Sequence, residues 1–149
     1  MADMTRADRA PLQEAEIREL VSTWYRVLTD HGPADELVSM LTPDGPEMRF
    51  PEATLRGVDE FRDWYAGVQR TYFDQVHRVK RCAIAMHDDG ADLDVVVHWE
   101  ASTWTPPAAY SERTVADAYQ TWRVARSALT GNPVIVTYNV DSMKPCEQS

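Results

Sequence analysis

From Leu12 onward, hydrophobic residues recur at three- and four-residue spacing. Ile17, Leu20, Val21, Trp24, Val27 and Leu28 share one broad apolar face, which predicts an amphipathic helix. Gly32 and Pro33 in "DHGP" stop it. "ADELVSML" predicts a short second helix that "TPDGP" ends, and "EMRF" a short strand. After Gly57 the helical period returns through Val58, Phe61, Trp64, Tyr65, Val68 and Tyr72. Beyond Asp74 come four stretches rich in β-branched and aromatic residues, at 75–87, 92–105, 113–128 and 133–143, separated by "HDDG", "PPAAYSE" and "LTGNP". These connections suit antiparallel hairpins better than helical crossovers. The order predicts an α+β fold, with three N-terminal helices packed in the concave face of a curved, mostly antiparallel sheet and a pocket between the layers.

Alternation along a strand decides which side chains enter that pocket. In the third long stretch Thr114, Ala116, Ala118, Gln120, Trp122 and Val124 form the more apolar face and should point at the helices; Val115, Asp117, Tyr119, Thr121 and Arg123 point away. In the last stretch Val134, Val136, Tyr138 and Val140 oppose Ile135, Thr137, Asn139 and Asp141. In "VVVHWEASTW", Val95, Val97, Trp99, Ala101 and Thr103 go inward, and Val96, His98, Glu100, Ser102 and Trp104 outward. His98 and Glu100 therefore share the outer side, where they fit a contact surface better than a buried acid–base pair.

Composition narrows the function classes. The 149 residues suit one domain spanning 1–149, with 1–11 a loose arm and 144–149 a tail. A net charge of −9 disfavours nucleic acid and anionic membranes as partners. No apolar run approaches the ~20 residues of a membrane span, and the polar start "MADMTRADRA" lacks a signal-peptide core, so a cytoplasmic location is expected. Cys82 and Cys146 have no zinc-type spacing, and no histidine–carboxylate grouping has ligand spacing, so no metal is expected. With neither a phosphate loop nor a dinucleotide fingerprint, no cofactor is expected.

Three segments carry a resemblance. "WYRVLTDHGPADELVSMLTPD", "RGVDEFRDWY" and "YQTWRVARSALTGNPVIVTYNVD" together make residues 13 to 143 resemble the nuclear transport factor 2-like cone fold, a cystatin-like roll, in its ketosteroid isomerase and SnoaL-like polyketide cyclase branch. The resemblance implies a cone-shaped cavity and sheet-to-sheet dimers. In those isomerases a first-helix tyrosine and a strand aspartic acid hold the oxyanion, and an aspartate preceding a proline is the base. The matching positions here hold Trp24 (with Tyr25 beside it), Gln120 and Phe50, so that mechanism does not transfer.

Other residues then come forward. His77, in "DQVHRV" near the cone's mouth, is the candidate general acid or base, against the alternative of a solvated strand-start histidine. Tyr25, Gln120 and Tyr138 could polarise a substrate oxygen, or could simply satisfy one another. Asp117 would enter the pocket as an acid if a bulge shifted its strand by one residue. Trp24, Trp64, Trp99 and Trp122, with Tyr65 and Phe50, are expected to be core or to wall an apolar cavity. The activity that the resemblance to the SnoaL-like enzymes implies is cofactor-independent cyclisation, isomerisation or dehydration of a hydrophobic cyclic or polyketide-like molecule. The alternative is a non-catalytic binding or accessory protein on the same fold. A homodimer is expected through the outer face at His98, Glu100, Trp104, Arg123 and Asn139.

Overall fold

In the computed structural model, which describes residues 11–146, helix α1 (Glu14–Thr29) starts with a reciprocal cap: the Gln13 amide donates to Glu16 Oε1 at 3.0 Å. It ends at Asp30, where His31 takes the left-handed conformation (φ 51°) and Gly32 follows. Glycine is needed there, because a Cβ on Gly32 would lie 2.8 Å from Val27 Cγ1. Every apolar position predicted for this helix is buried, and Tyr25 is buried with them. The reason is that the sheet wraps α1 over more than one stripe.

Helix α2 (Ala34–Val38) is shorter than its apolar pattern suggested. Strands β1 (Glu47–Arg49) and β2 (Thr54–Arg56) form a hairpin whose tight turn is closed by paired backbone bonds between Phe50 and Ala53. β2 was not anticipated. Helix α3 (Val58–Thr71) follows Gly57, whose φ of 89° favours glycine. Four long strands complete the chain: β3 (Phe73–His87), β4 (Gly90–Thr103), β5 (Glu112–Arg126) and β6 (Pro133–Pro145). The last takes in residues 144 and 145, which were expected to belong to the tail.

The sheet order is β2-β1-β6-β5-β4-β3, with every pairing antiparallel except β1 with β6. Both neighbours of β5 could shift its faces, but the register from β4 is unbroken between Ala91↔Val124 and Thr103↔Glu112. The extra residues lie elsewhere: one between Phe73 and Val76 and then Lys80 on β3, and Val136 and Asp141 on β6. Such bulges bend a sheet locally and let it curl over the helices. They also reset parity. Ile135, expected outside, pairs with Val124 and is fully buried in the core, and Met143 pairs with Ala118 on the inner face.

Candidate functional site

Between α1, α3, the β1–β2 turn and the inner face of the sheet lies a cavity of about 300 Å³. Its walls are mostly apolar and aromatic. Phe50 and Trp64 stack at 4.2 Å between ring centroids on one side, and Tyr72 meets Trp99 edge-on at 5.4 Å on another. Val97, Ala118, Val140 and Met143 fill in from the strands.

The deep wall is polar. Tyr25 from α1 donates to Gln120 Oε1 at 2.9 Å, and its oxygen lies 2.9 Å from that of Tyr138. Trp122 Nε1 reaches the same Gln120 Oε1 at 2.9 Å. An indole nitrogen can only donate, so this contact fixes which end of the amide is which. With Oε1 accepting two hydrogen bonds, the Gln120 side chain offers the cavity only its Nε2 donors. Because Tyr25 gives its proton to Gln120, the proton between the two tyrosines comes from Tyr138. The result is a directed chain, Tyr138 to Tyr25 to Gln120. Burial raises the pKa of both phenols, Tyr25 well above its ordinary value and Tyr138 to about 12, so both stay protonated donors at neutral pH.

His77 stands beside this chain, stacked on Tyr25 with ring centroids 5.5 Å apart. Its Nδ1 lies 3.1 Å from Thr29 Oγ1. Where Nδ1 carries the proton and donates to Thr29, Nε2 is left as a bare base. Burial first, then the nearby His31, pushes the pKa of His77 down to about 4, so the imidazole is neutral at physiological pH. Among the described residues no carboxylate pairs or hydrogen-bonds with it.

Two polar cavity residues were not anticipated. Gln75 is buried: its Oε1 accepts from Trp99 Nε1 at 3.1 Å, and its Nε2 lies 2.7 Å from His31 Nε2. His31, in the turn that ends α1, thus anchors a cavity wall through Gln75. Glu52, in the β1–β2 turn, lines the cavity at its rim, with Trp64 Nε1 3.4 Å from its Oε2. Neither has a sequence signal, because both sit where the backbone leaves regular alternation.

Of the residues expected at the site, Tyr25, Phe50, Trp64, His77, Trp99, Gln120 and Tyr138 meet at the cavity. Trp24, Tyr65 and Trp122 do not line it. Trp24 packs against Phe61, Trp122 and Tyr138, while Tyr65 stacks on Phe61 and donates to Gly32 O at 2.7 Å. They face inward but lie below the cavity floor; Trp122 acts on it only through Gln120.

Asp117 is on the opposite face, where alternation places it; the bulge on β5 that would have turned it into the cavity as an acid is not there. With β5 in unbroken register against β4, it sits directly across from His98, 3.1 Å from Nδ1, and binds Lys80 Nζ at 2.8 Å. His98 Nε2 meets Glu100 at 2.8 Å, and Arg113 joins Glu100 at 3.1 Å. Ligand atoms of His98, Asp117 and Cys146 lie within 4.8 Å of one another, a grouping that linear spacing could not show. Both His98 nitrogens and both Asp117 oxygens already have partners here, so the cluster is an ion-pair network. Also outside the cavity, Trp104 is 53% exposed, Arg123 pairs with Asp89 and Asp92, and Asn139 lines an outer groove.

No family model and no curated protein matches the sequence. Solved structures do match the fold. A ketosteroid isomerase-like protein from Erwinia carotovora atroseptica aligns with a TM-score of 0.68 at 17% identity, over 92% of this chain and 100% of that one. A candidate aromatic ring hydroxylase from Novosphingobium aromaticivorans aligns with 0.74 at 12% identity, over 89% and 92%. A candidate scytalone dehydratase from the same organism aligns with 0.63 at 12% identity, over 89% and 83%. At these identities the likeness speaks to architecture and not to chemistry. The chain has the nuclear transport factor 2-like cone fold.

Proposed function

We propose that the protein is a cofactor-independent enzyme that cyclises, isomerises or dehydrates a small, largely apolar, cyclic or polyketide-like molecule. One observation carries this reading: a neutral histidine stacks on a tyrosine whose hydroxyl belongs to a directed hydrogen-bond chain, inside an otherwise apolar cavity. A substrate carbonyl at the deep wall would accept from Gln120 Nε2, which the Tyr138–Tyr25 chain holds in place. His77 Nε2 would remove a proton from the neighbouring carbon, and the electron pair would move onto the polarised oxygen. The imidazolium then returns that proton to another carbon, or to a departing hydroxyl that leaves as water. Fixed donors in a dry site stabilise the enolate without reorganising.

The low pKa of His77 narrows the substrate further. Each pK unit by which the base falls short of the carbon acid costs about 1.4 kcal/mol. A weak base therefore suits carbon acids already activated by two carbonyls, as in polyketide-like chains. The test follows turnover and affinity separately. His77→Ala should lower turnover by about 10²- to 10⁴-fold with affinity little changed, whereas Gln120→Ala should weaken both. If turnover on an identified substrate survives both changes, the assignment is wrong.

A second reading, a non-catalytic carrier of the same kind of molecule, is favoured by the absence of a carboxylate near Tyr25 among the described residues; Glu52, at the exposed rim, is the one carboxylate in the lining. Ligand binding with no turnover of any activated dicarbonyl would support it. We also propose pairing of two copies through the outer face around Trp104, which sedimentation of the wild type and of Trp104→Glu would test.

A further inference from the structure

Two glutamines line the cavity, and the same kind of contact orients both. Gln120 accepts at Oε1 from Trp122 Nε1 at 2.9 Å, and Gln75 accepts at Oε1 from Trp99 Nε1 at 3.1 Å. An indole N–H only donates, so in each amide the engaged end is the carbonyl and the donor end is the NH2. Gln75 Nε2 lies 2.7 Å from His31 Nε2. An amide nitrogen accepts nothing, so the histidine accepts there and carries its own proton on Nδ1. That contact uses one N–H of Gln75. The other has no partner among the described residues, although Gln75 is only 7% exposed.

A structural role explains part of this. Gln75 ties the turn after α1 to the wall at Trp99, and such a strut uses the carbonyl and one N–H. The second N–H is surplus to it, in a lining that is mostly apolar. The backbone is also bent to place this side chain. Gln75 stands within the first bulge of β3, directly after Asp74 with φ 50°, and its partner His31 has φ 51°. Left-handed backbone at non-glycine residues carries a cost and gathers at sites whose geometry matters.

The register sets the two amides apart. His77 is opposite Trp99 on β4 and Gln120 is opposite Val95, two inward steps away at about 7 Å each. Gln75 precedes His77 on the other side, so His77 lies between the two amides along the sheet. We infer that the cavity takes a molecule with an oxygen acceptor at each end of an apolar body, one on Gln120 Nε2 and the other on Gln75 Nε2. Gln75 is then a specificity-determining residue. This rests on the reading of the cavity as the substrate site and narrows its substrate to a compound with two carbonyl-type oxygens on opposite edges. The far oxygen orients the molecule over His77 and takes no part in the electron flow. A ligand that lacks it leaves a buried N–H unpaired, which is how a polar site rejects an analogue.

The experiment is titration with 1,4-diacetylbenzene and with 4-isopropylacetophenone, in which a methyl group replaces one oxygen, followed by NMR of the side-chain amides. In the wild type the diketone should shift the NH2 resonances of both Gln75 and Gln120, and the monoketone those of Gln120 alone. Gln75→Leu should lower the ratio of diketone to monoketone affinity by about five- to tenfold, the loss of one hydrogen bond. Both probes meet the same altered wall, so loosened packing by itself leaves that ratio unchanged. Should the variant fail to fold, the wild-type resonances decide alone. Gln75 resonances unmoved by the diketone, or a ratio that survives Gln75→Leu, would overturn the second donor while leaving the cavity reading intact. Binding of neither ketone would overturn both.

Discussion

Strands β4 and β5 carry two chemistries on their two sides. Inside, Trp99, Ala118 and Gln120 face a cavity where polar atoms are few and tightly partnered. Outside, one residue along, His98, Glu100 and Asp117 join Lys80 and Arg113 in a network of charges. Each side holds a histidine. His98 is clamped between two carboxylates, which commits both of its nitrogens. His77 has one neutral partner, Thr29, and an aromatic ring against it, so one nitrogen is uncommitted. The difference shows why proximity of a histidine to a carboxylate is a poor guide to chemistry. The pair that looks catalytic in the sequence is a strut, and the histidine with no carboxylate can still exchange a proton.

That contrast can be broken by substitution. The largest effect should come from Trp122→Ala, which empties a buried ring site and removes a donor from Gln120; urea unfolding should show a loss of about 3–5 kcal/mol. Trp104→Ala on the outer side should cost about 0.5 kcal/mol or less. Comparable losses at the two positions would mean that the two sides are not energetically distinct.

Next in size is a pH effect. In the unfolded chain His77 titrates near its ordinary value of 6.5, and in the folded chain at about 4. Between those values the unfolded state binds more protons, so stability falls as pH drops from 6.5 toward 4, by at most about 3 kcal/mol from this group. Unfolding midpoints across that window should show a shallower slope for His77→Gln than for the wild type. Identical slopes would show that His77 is solvated. Smaller again, Gln120→Leu leaves Trp122 Nε1 and the Tyr25 hydroxyl without their acceptor, at a cost of about 1–3 kcal/mol in the same urea assay.

Where periodicity is regular, the fold and part of the site could be read in advance. The faces of α1 and α3 were legible, and so were the inward positions of Trp99 and Gln120, because β4 and β5 pair without a register shift. Three things were not legible, each for a physical reason. Bulges at Val136 and Asp141 leave no mark in local composition, so Ile135 was placed on the wrong side. Alternation assigns a face but not a depth, so Trp24 and Trp122 were grouped with Trp64 and Trp99 although they lie beneath the floor. Contacts between elements, such as His98 with Asp117 across strands or Gln75 with His31 in the turn after α1, depend on register and on turn geometry that no linear spacing records.

The smallest expected change tests the outer side directly. Lys80 reaches across β4 to Asp117 from the edge strand, and its side chain is 48% exposed against 12% for the aspartate. An ion pair with one end in solvent gains little Coulomb energy and loses side-chain entropy, so Lys80→Met should leave the thermal midpoint within experimental scatter. It should nonetheless change a titration. The hydrogen bond from Lys80 is the main reason Asp117 is held below the usual carboxylate range, opposed by burial and helped by His98. Removing the ammonium should therefore raise the NMR midpoint of the Asp117 carboxyl toward its ordinary value, and added salt should shrink the difference between the two proteins. An unfolding cost as large as that of Gln120→Leu would instead place Asp117 among the groups whose burial depends on Lys80. The outer network would then be structural in the same sense as the polar wall of the cavity, and the contrast between the two faces would rest on their chemistry alone.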